Sequence, residues 1–233
     1  MYEIREVYNI LLKKFGPQGW WPTTPANKTT PKYAGGPKNE RQQLEVVFGA
    51  ILAQNTSWKN AEKAIINLNA NNLINACKII RLPTKKLAKI IKSSGYHNQK
   101  TKKLKNFCEF LINNYEGNLK LFFNNAAKNL RNELLSINGI GPETADSIIL
   151  YAAKKPIFVI DAYTKRIFGR LGYKEEAYDE FQQLFMDNLP KSERLFNEFH
   201  ALIIELGKNF CKNNPSCGKC PLMAGCPYGK KIK

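Results

Sequence analysis

The stretch from Leu134 to Gly172 constrains the fold of this chain more than any other part of the sequence. An amphipathic helix leads into Gly139-Ile140-Gly141, and a second helix is predicted to begin at Pro142, because a first helical position has no use for the missing N–H. Two glycines one residue apart allow a tight turn in which the backbone takes φ > 0 and leaves its N–H groups uncovered. N–H groups beside a helix N-terminus bind anions. The sequence therefore predicts an anion-binding helical hairpin.

The predicted second helix of this hairpin has a stripe of apolar residues at helical spacing, which predicts a buried face: Ala145, Ile148, Ile149 and Ala152. An apolar run then leads to Asp161, which begins a third amphipathic helix. A carboxylate at a helix N-terminus stays ionised, because the helix dipole and free N–H groups stabilise its charge. The alternative is an ordinary pair of helices in which Asp161 is only a structural N-cap.

The charge of the chain indicates a polyanionic partner. Lys and Arg number 36 against 19 Asp and Glu, which gives a formal net charge of +17. Such a protein binds polyanions in a salt-sensitive way. An anionic membrane surface is the alternative, but no long basic amphipathic helix supports it. Without a long apolar run or a signal-peptide pattern, we expect an intracellular, cytoplasmic protein associated with the nucleoid.

The C-terminal tail carries four cysteines in the pattern C-x5-C-x2-C-x5-C: Cys211, Cys217, Cys220 and Cys226. Thiolates at this density, with prolines for turns, predict a cysteine-only metal centre. Two disulfides are disfavoured in a reducing compartment. The other two cysteines, Cys77 and Cys108, lie in apolar helical patterns and are predicted to be core thiols.

Taken together, the hairpin, the apolar run, Asp161 and the cysteine tail resemble the signature of the endonuclease III superfamily of DNA glycosylases. The resemblance covers most of the chain. It implies an all-α fold of two helical domains flanking a cleft, consistent with the absence of a convincing strand pattern. The predicted domains are a helical barrel with the helix-hairpin-helix at 37–155, and an iron–sulfur domain formed by 1–36 plus 156–233. Asp161 would lie on one wall of the cleft and Glu143 on the other.

The same resemblance assigns the catalytic groups. Asp161 falls on the catalytic carboxylate, which stabilises the oxocarbenium character of the sugar and activates a water. Glu143 falls on the position where relatives that also cleave the DNA strand carry a lysine that forms a Schiff base. A carboxylate forms no imine. We therefore expect a monofunctional enzyme that leaves an abasic site, with doubtful lyase activity.

Other matched positions imply contacts with DNA. Gln54 falls on the glutamine that fills the gap left by a flipped nucleotide, although a helix-capping turn explains Gln54-Asn55-Thr56 equally well. Tyr96 and Lys100 lie in a turn that resembles a family motif near the DNA backbone, with a plain solvated turn as the alternative. The hairpin residues Gly139, Ile140 and Gly141 complete the predicted DNA-binding set.

Three tryptophans are candidates for a base pocket. Trp20-Trp21-Pro22 and Trp58 resemble pocket aromatics of the endonuclease-III-like 3-methyladenine glycosylases, the group whose motifs match best. Aromatic faces stack an extruded base and attract the cationic base that alkylation creates. From the residues alone, two adjacent tryptophans in a loop favour core anchors over a pocket lining, and only the resemblance shifts the balance toward the pocket.

For the tail, the resemblance implies a [4Fe–4S] cluster held by the four cysteines. The first gap is one residue shorter than in the family, so zinc stays open as an alternative.

The predicted function is a monomeric base-excision DNA glycosylase that acts on double-stranded DNA with damaged, alkylated purines. The alternatives are a bifunctional endonuclease III-type enzyme for oxidised pyrimidines, a mismatch uracil or thymine glycosylase, and a non-catalytic DNA-binding iron–sulfur protein.

Overall fold

The structure is a computed structural model that describes residues 2–232, and it confirms the all-α fold. No β-strand forms within these residues; the nearest approach is an isolated antiparallel bridge between Thr23 and Lys32. The apolar run at 157–160 is a buried connection, as predicted. No helix in this range is long and apolar enough to cross a membrane.

Thirteen α-helices account for most of residues 2–232. They are α1 (Ile4–Phe15), α2 (Glu40–Leu52), α3 (Trp58–Ala70), α4 (Ala76–Arg81), α5 (Thr84–Ile90), α6 (His97–Tyr115), α7 (Leu119–Phe123), α8 (Ala127–Ser136), α9 (Pro142–Ser147), α10 (Ala162–Leu171), α11 (Tyr178–Asn188), α12 (Glu193–Asn209) and α13 (Pro227–Lys231). Short 3₁₀ turns lie at Lys92–Ser94, Cys217–Lys219 and Met223–Gly225, and a π-helical segment at Ile148–Ala152.

The chain divides into two compact units, one formed by Met1–Trp20 with Pro156–Lys233 and the other by Trp21–Lys155. The predicted domains, 37–155 and 1–36 plus 156–233, stay a prediction; in the structure, residues 21–36 lie in the unit of α2. The reason is local: the backbone N–H of Thr24 donates to Glu45 Oε1 at 2.7 Å, and Asn69 Nδ2 donates to Thr24 Oγ1 at 2.7 Å. These buried bonds tie the segment to α2 and α3.

The unit that contains the chain ends is built around α12. Helix α1 packs on α12 and α11 through its buried side chains Ile4, Val7 and Leu11. Helix α10 also packs on α12, and a cluster of buried phenylalanines fills the space between them. These contacts fix both ends of α10, which carries Asp161 as its N-cap.

The other unit is built around α2, which is buried along most of its length. Helices α3 and α6 and the π-helical segment after α9 pack against it. The predicted stripe of Ala145, Ile148, Ile149 and Ala152 is buried throughout, which confirms the core-facing side of this element.

The prediction of a core thiol is wrong for one of the two cysteines. Cys108 is buried in α6, but Cys77 is exposed on α4. Helix α4 is short and turns Ala76 and Ile79 inward, so Cys77 lies on its outer side.

Candidate functional site

The hairpin joins α8 to α9 and begins its second helix at Pro142, as predicted. Gly139 has φ 97°, in the region that favours glycine, and a Cβ there would lie 2.5 Å from Lys103 Cγ. Gly141 is extended at φ −97°, and a Cβ there would meet nothing within 4 Å. The space over Gly141 is therefore open to a ligand, and Gly139 makes the turn.

A buried ion pair fixes the two helices of the hairpin. Arg131 Nε in α8 donates to Asp146 Oδ1 in α9 at 2.8 Å, and Nη2 donates to Oδ2 at 3.4 Å. The Asp146 side chain is fully buried. Because a two-pronged pair of this kind sets orientation as well as distance, it holds the turn in one geometry.

Gln54 lies against the hairpin rather than in open solvent. Its Nε2 donates to the Gly139 carbonyl at 3.1 Å and to Thr144 Oγ1 at 2.9 Å, and its Oε1 accepts from Lys103 Nζ. Sequence patterns gave no indication of Lys103. A DNA-filling role for Gln54 requires its amide to leave these partners. Glu143 lies next to Thr144, exposed in the first turn of α9.

The turn at Gly95 presents Tyr96 but not Lys100. Tyr96 is 67% exposed and has φ 44°, a left-handed conformation that is strained for an aromatic residue. Lys100 is buried, and its Nζ donates to the carbonyls of Leu52 at 2.9 Å and Ser94 at 2.6 Å. Burial, with a smaller effect of Lys103, lowers the pKa of Lys100 to about 8. This corrects the prediction of a phosphate contact, since the ammonium ties α2 to the turn.

Asp161 is the N-cap of α10, and its side chain is buried. Oδ1 accepts hydrogen bonds from Thr164 N at 2.7 Å and Thr164 Oγ1 at 2.8 Å, and Oδ2 lies 3.6 Å from His200 Nε2. Burial alone would raise the pKa of this carboxyl, but His200 and Thr164 outweigh it and hold the pKa below the ordinary value. Asp161 therefore carries a carboxylate that is buried and stays charged.

Sequence patterns give no indication of a role for His200, because it is a lone histidine. It lies on α12, and only the packing of α12 against α10 brings it to Asp161. The spacing of 39 residues between the two carries no signal in the sequence.

Trp20 belongs to the same unit as Asp161. Lys208 Nζ lies 5.7 Å from the centroid of the Trp20 ring, within cation–π range. Partial burial lowers the pKa of Lys208, against the opposing charges of Glu205 and Asp161. An aromatic face, an ammonium and the buried carboxylate therefore lie in one neighbourhood.

Trp21 and Trp58 belong to the other unit and contact each other. Their rings meet edge to face at 5.1 Å, and Trp21 also packs on Tyr151 at 5.1 Å. Trp21 is only 6% exposed and fits over Gly49, where a Cβ would lie 3.2 Å from its ring. Trp21 therefore follows the core-anchor alternative, which corrects its assignment to a base pocket. Trp20 and Trp58 are partly exposed, and their pocket role stays a prediction.

The four tail cysteines line one cavity: Cys211, Cys217, Cys220 and Cys226. Arg170 Nη1 donates to the Sγ of Cys211 at 3.3 Å, and the Gly229 N–H donates to the Sγ of Cys226 at 3.4 Å. Burial, and then the neighbouring cysteines, raise the pKa of Cys220 to about 11. Metal binding requires deprotonated thiols, so binding of a metal here would release protons.

Within residues 2–232, no group of three His, Cys, Asp or Glu side chains is arranged to hold a single metal ion. Four ligands of one zinc ion, at about 2.3 Å from the metal, would have their sulfurs within about 4 Å of each other. Four cysteine thiolates are the ligand set of both [4Fe–4S] clusters and structural zinc ions, so the donor set fits either group.

Comparison with known families places the site in a DNA-repair context. Residues 48–191 match the model of the HhH-GPD superfamily of base excision DNA repair proteins. A protein of Methanocaldococcus jannaschii named as a DNA repair glycosylase is 44% identical over 96% of this chain and 95% of its own. Endonuclease III of Sulfolobus acidocaldarius is 30% identical over 81% of this chain and 83% of its own.

Solved structures share the fold. The Helicobacter pylori 3-methyladenine DNA glycosylase bound to 1,N6-ethenoadenine has a TM-score of 0.72 at 27% identity, over 89% of this chain and 98% of its own. A trapped covalent intermediate of endonuclease III with DNA has a TM-score of 0.77 at 23% identity, over 98% of this chain and 96% of its own.

Proposed function

The chain belongs to the HhH-GPD superfamily of base excision DNA repair proteins, and from that premise we propose that it is a DNA N-glycosylase that hydrolyses the bond between a damaged base and its deoxyribose. The observation that carries the proposal is the buried carboxylate of Asp161, whose pKa is lowered by His200 and Thr164. A fixed anion stabilises the positive charge that develops on the sugar as the base leaves, and it accepts a proton from the attacking water.

The remaining residues bind and orient the DNA. The open backbone at Gly141 receives a phosphate, since an N–H at the start of a helix favours an anion and no side chain blocks its approach. Gln54 enters the duplex after its amide leaves Gly139 and Thr144. Trp20 and Trp58 supply aromatic faces for the extruded base.

We infer that the enzyme is monofunctional. Glu143 stands where a lyase lysine would, and a carboxylate cannot form a Schiff base. The product is then an abasic site on an intact strand, which breaks only in alkali.

Alkylated purines are the proposed substrates. Alkylation makes the base cationic and a good leaving group, so the site needs little acid catalysis, and an aromatic wall attracts such a base. The resemblance of Trp20-Trp21-Pro22 and Gln54-Asn55-Thr56 to the 3-methyladenine group supports this choice. So does the similarity to a 3-methyladenine DNA glycosylase bound to 1,N6-ethenoadenine.

A bifunctional enzyme for oxidised pyrimidines is the second candidate, favoured by relatives named endonuclease III. It needs an amine near the sugar. Lys208 is the lysine that shares a neighbourhood with Asp161, and its lowered pKa increases the fraction of neutral amine.

The experiment that separates these candidates is base release from duplexes carrying 3-methyladenine, 7-methylguanine, uracil, thymine glycol or a G·T mismatch, with and without alkali. Breaks that need alkali and are strongest for alkylated purines support the proposal. Breaks without alkali, strongest for thymine glycol, support the second candidate.

Asp161→Asn should abolish release while duplex binding persists. Release that persists in Asp161→Asn would remove Asp161 from the reaction, and binding without any release by the wild-type protein would indicate a protein that only binds DNA.

We also propose that the four tail cysteines hold a [4Fe–4S] cluster, with the N–H donors of Arg170 and Gly229 directed at their sulfurs. The cluster would serve structure, because hydrolysis of a glycosidic bond transfers no electrons. Metal analysis of anaerobically purified protein tests this: iron with sulfide supports the cluster, and stoichiometric zinc supports the alternative. Cys217→Ser should lose the metal.

A further inference from the structure

Helix α5 and the 3₁₀ turn after it present a row of lysines to solvent. Lys85, Lys86, Lys89 and Lys92, which we call the α5 face, are all exposed, while Leu87, Ala88 and Ile91 turn inward. Lys85, Lys89 and Lys92 lie four and three residues apart, so they share one side of the helix. The row extends over about 10 Å at 1.5 Å per residue.

The α5 face has no acidic partners. From residue 63 to residue 108 the sequence contains neither Asp nor Glu, although Lys and Arg recur throughout. None of the ion pairs found within residues 2–232 involves a lysine of the α5 face. Like charges at these spacings destabilise a helix. A face that serves only solubility would be expected to mix both signs, so this arrangement favours an external polyanion.

The position of the α5 face indicates which polyanion. Lys92 is followed within four residues by Tyr96, whose exposed ring lies in the turn predicted to approach DNA. Helix α6 separates α5 from the hairpin: Lys105 Nζ donates to the carbonyls of Ile80 and Leu82, just before α5, whereas Lys103 points to Gln54. Through Lys92, the α5 face is therefore adjacent to the turn at Gly95, which belongs to the predicted DNA-binding surface.

We propose that the α5 face binds the phosphates of duplex DNA that flanks the damaged nucleotide. The inference rests on the proposed function, because it extends the surface of the same site. Binding by the α5 face does not depend on the DNA sequence. It holds undamaged duplex during the search for lesions and lengthens the segment of DNA that is bound.

Binding of undamaged duplex at several salt concentrations tests the proposal. Each phosphate contact contributes about 0.9 to the slope of log affinity against log salt. The triple variant Lys85→Gln, Lys89→Gln, Lys92→Gln should lower that slope by about two to three. It should also lose at least about tenfold in affinity for a long duplex at low salt, and much less for a duplex that covers only the lesion. Release of base from saturated short duplex should stay within about twofold, since these side chains are not in the catalytic machinery.

The matched control removes three exposed lysines from the other unit, Lys13→Gln, Lys14→Gln, Lys191→Gln. An equal loss in this control would attribute the effect to net charge and overturn the proposal. So would an unchanged slope in the α5 variant, or a loss confined to single-stranded DNA or RNA. Because undamaged duplex is the probe, binding that depends on the α5 face without release of any base would sink the proposed function and leave this inference standing.

Discussion

Asp161 combines two properties that normally oppose each other, since it is buried and its pKa is lowered. The combination depends on the two N-cap bonds from Thr164 and on His200 3.6 Å away. Folding therefore stabilises the charged form: this contribution is present above the unfolded value of about 3.9 and is lost as the pH falls through the lower folded pKa.

The first prediction concerns His200. The His200→Leu variant removes the favourable partner and leaves the burial, so the pKa of Asp161 should rise and the acid limb of base release should move toward neutral pH, by about one unit for each 1.4 kcal/mol lost. His200→Gln keeps an N–H donor and should move less. A pH–rate profile checks both, and an unmoved acid limb in a folded His200→Leu variant would remove His200 from the mechanism.

A second residue-scale prediction concerns Glu143. Glu143→Lys places an amine where lyases carry one, so borohydride should trap a covalent DNA adduct that the wild-type protein does not form. Glu143→Gln is the control and should form none. Equal trapping by the wild-type protein would mean that another lysine, with Lys208 the first to test, already does this chemistry.

At the scale of elements, the two glycines of the hairpin have different structural roles, although the Gly-Ile-Gly pattern does not distinguish them. Gly139 is required by its own φ of 97° and by the stem of Lys103, whereas Gly141 is extended with open space beside it. One glycine shapes the turn, and the other leaves its surface free.

The third prediction uses this difference. Gly139→Ala should destabilise the protein by about 1–3 kcal/mol, because alanine resists the left-handed region. Gly141→Ala should cost less than about 1 kcal/mol but weaken duplex binding, since its methyl group covers the approach to the backbone. Thermal unfolding and DNA titration on both variants check the prediction. Similar behaviour of the two variants in both measurements would contradict it.

Lys100 joins elements instead of touching DNA, and this leads to a prediction about pH. Its folded pKa of about 8 lies below the unfolded value of about 10.4, so between these values the unfolded chain binds more protons and stability should rise with pH. In Lys100→Met, stability should no longer rise over this pH range. At neutral pH the variant should be less stable by about 1–3 kcal/mol, because two carbonyls lose their donor. Urea unfolding at several pH values measures both effects. The exposed neighbour Lys102→Met should show neither.

At the scale of the whole molecule, one compact unit is made from both ends of the chain. Helix α1 buries its apolar face on α12, and Tyr173 Oη donates to the carbonyl of Tyr2 at 2.9 Å. The unit that holds Asp161 and the cysteine tail therefore depends on residues that lie about 150 positions before Asp161 and about 200 positions before the tail.

The last prediction tests this dependence. Leu11→Ala removes a fully buried side chain and should cost about 2–5 kcal/mol. The metal content of the cysteine tail and the rate of base release should fall as the folded fraction of this unit falls. Asn9→Ala, on the exposed side of the same helix, is the control. Unchanged stability in Leu11→Ala would contradict the packing described for α1.

Elements whose signals are local could be predicted from the amino-acid sequence. The hairpin, the start of α9 at Pro142, Asp161 as the N-cap of α10 and the all-helical pattern all follow from residues within a few positions of each other, because caps, glycines and helical stripes act over one or two turns.

The interaction partners of the site residues depend on how the helices pack in the folded protein. His200 beside Asp161, Lys103 on Gln54, the burial of Lys100 and the packing of Trp21 over Gly49 each join residues brought together by helix packing. The sequence could not give these pairings, because a lysine or a histidine has the same local pattern whether its side chain points to solvent or to a neighbouring helix. The exposure of each polar group, and hence its charge, is decided by which helices surround it.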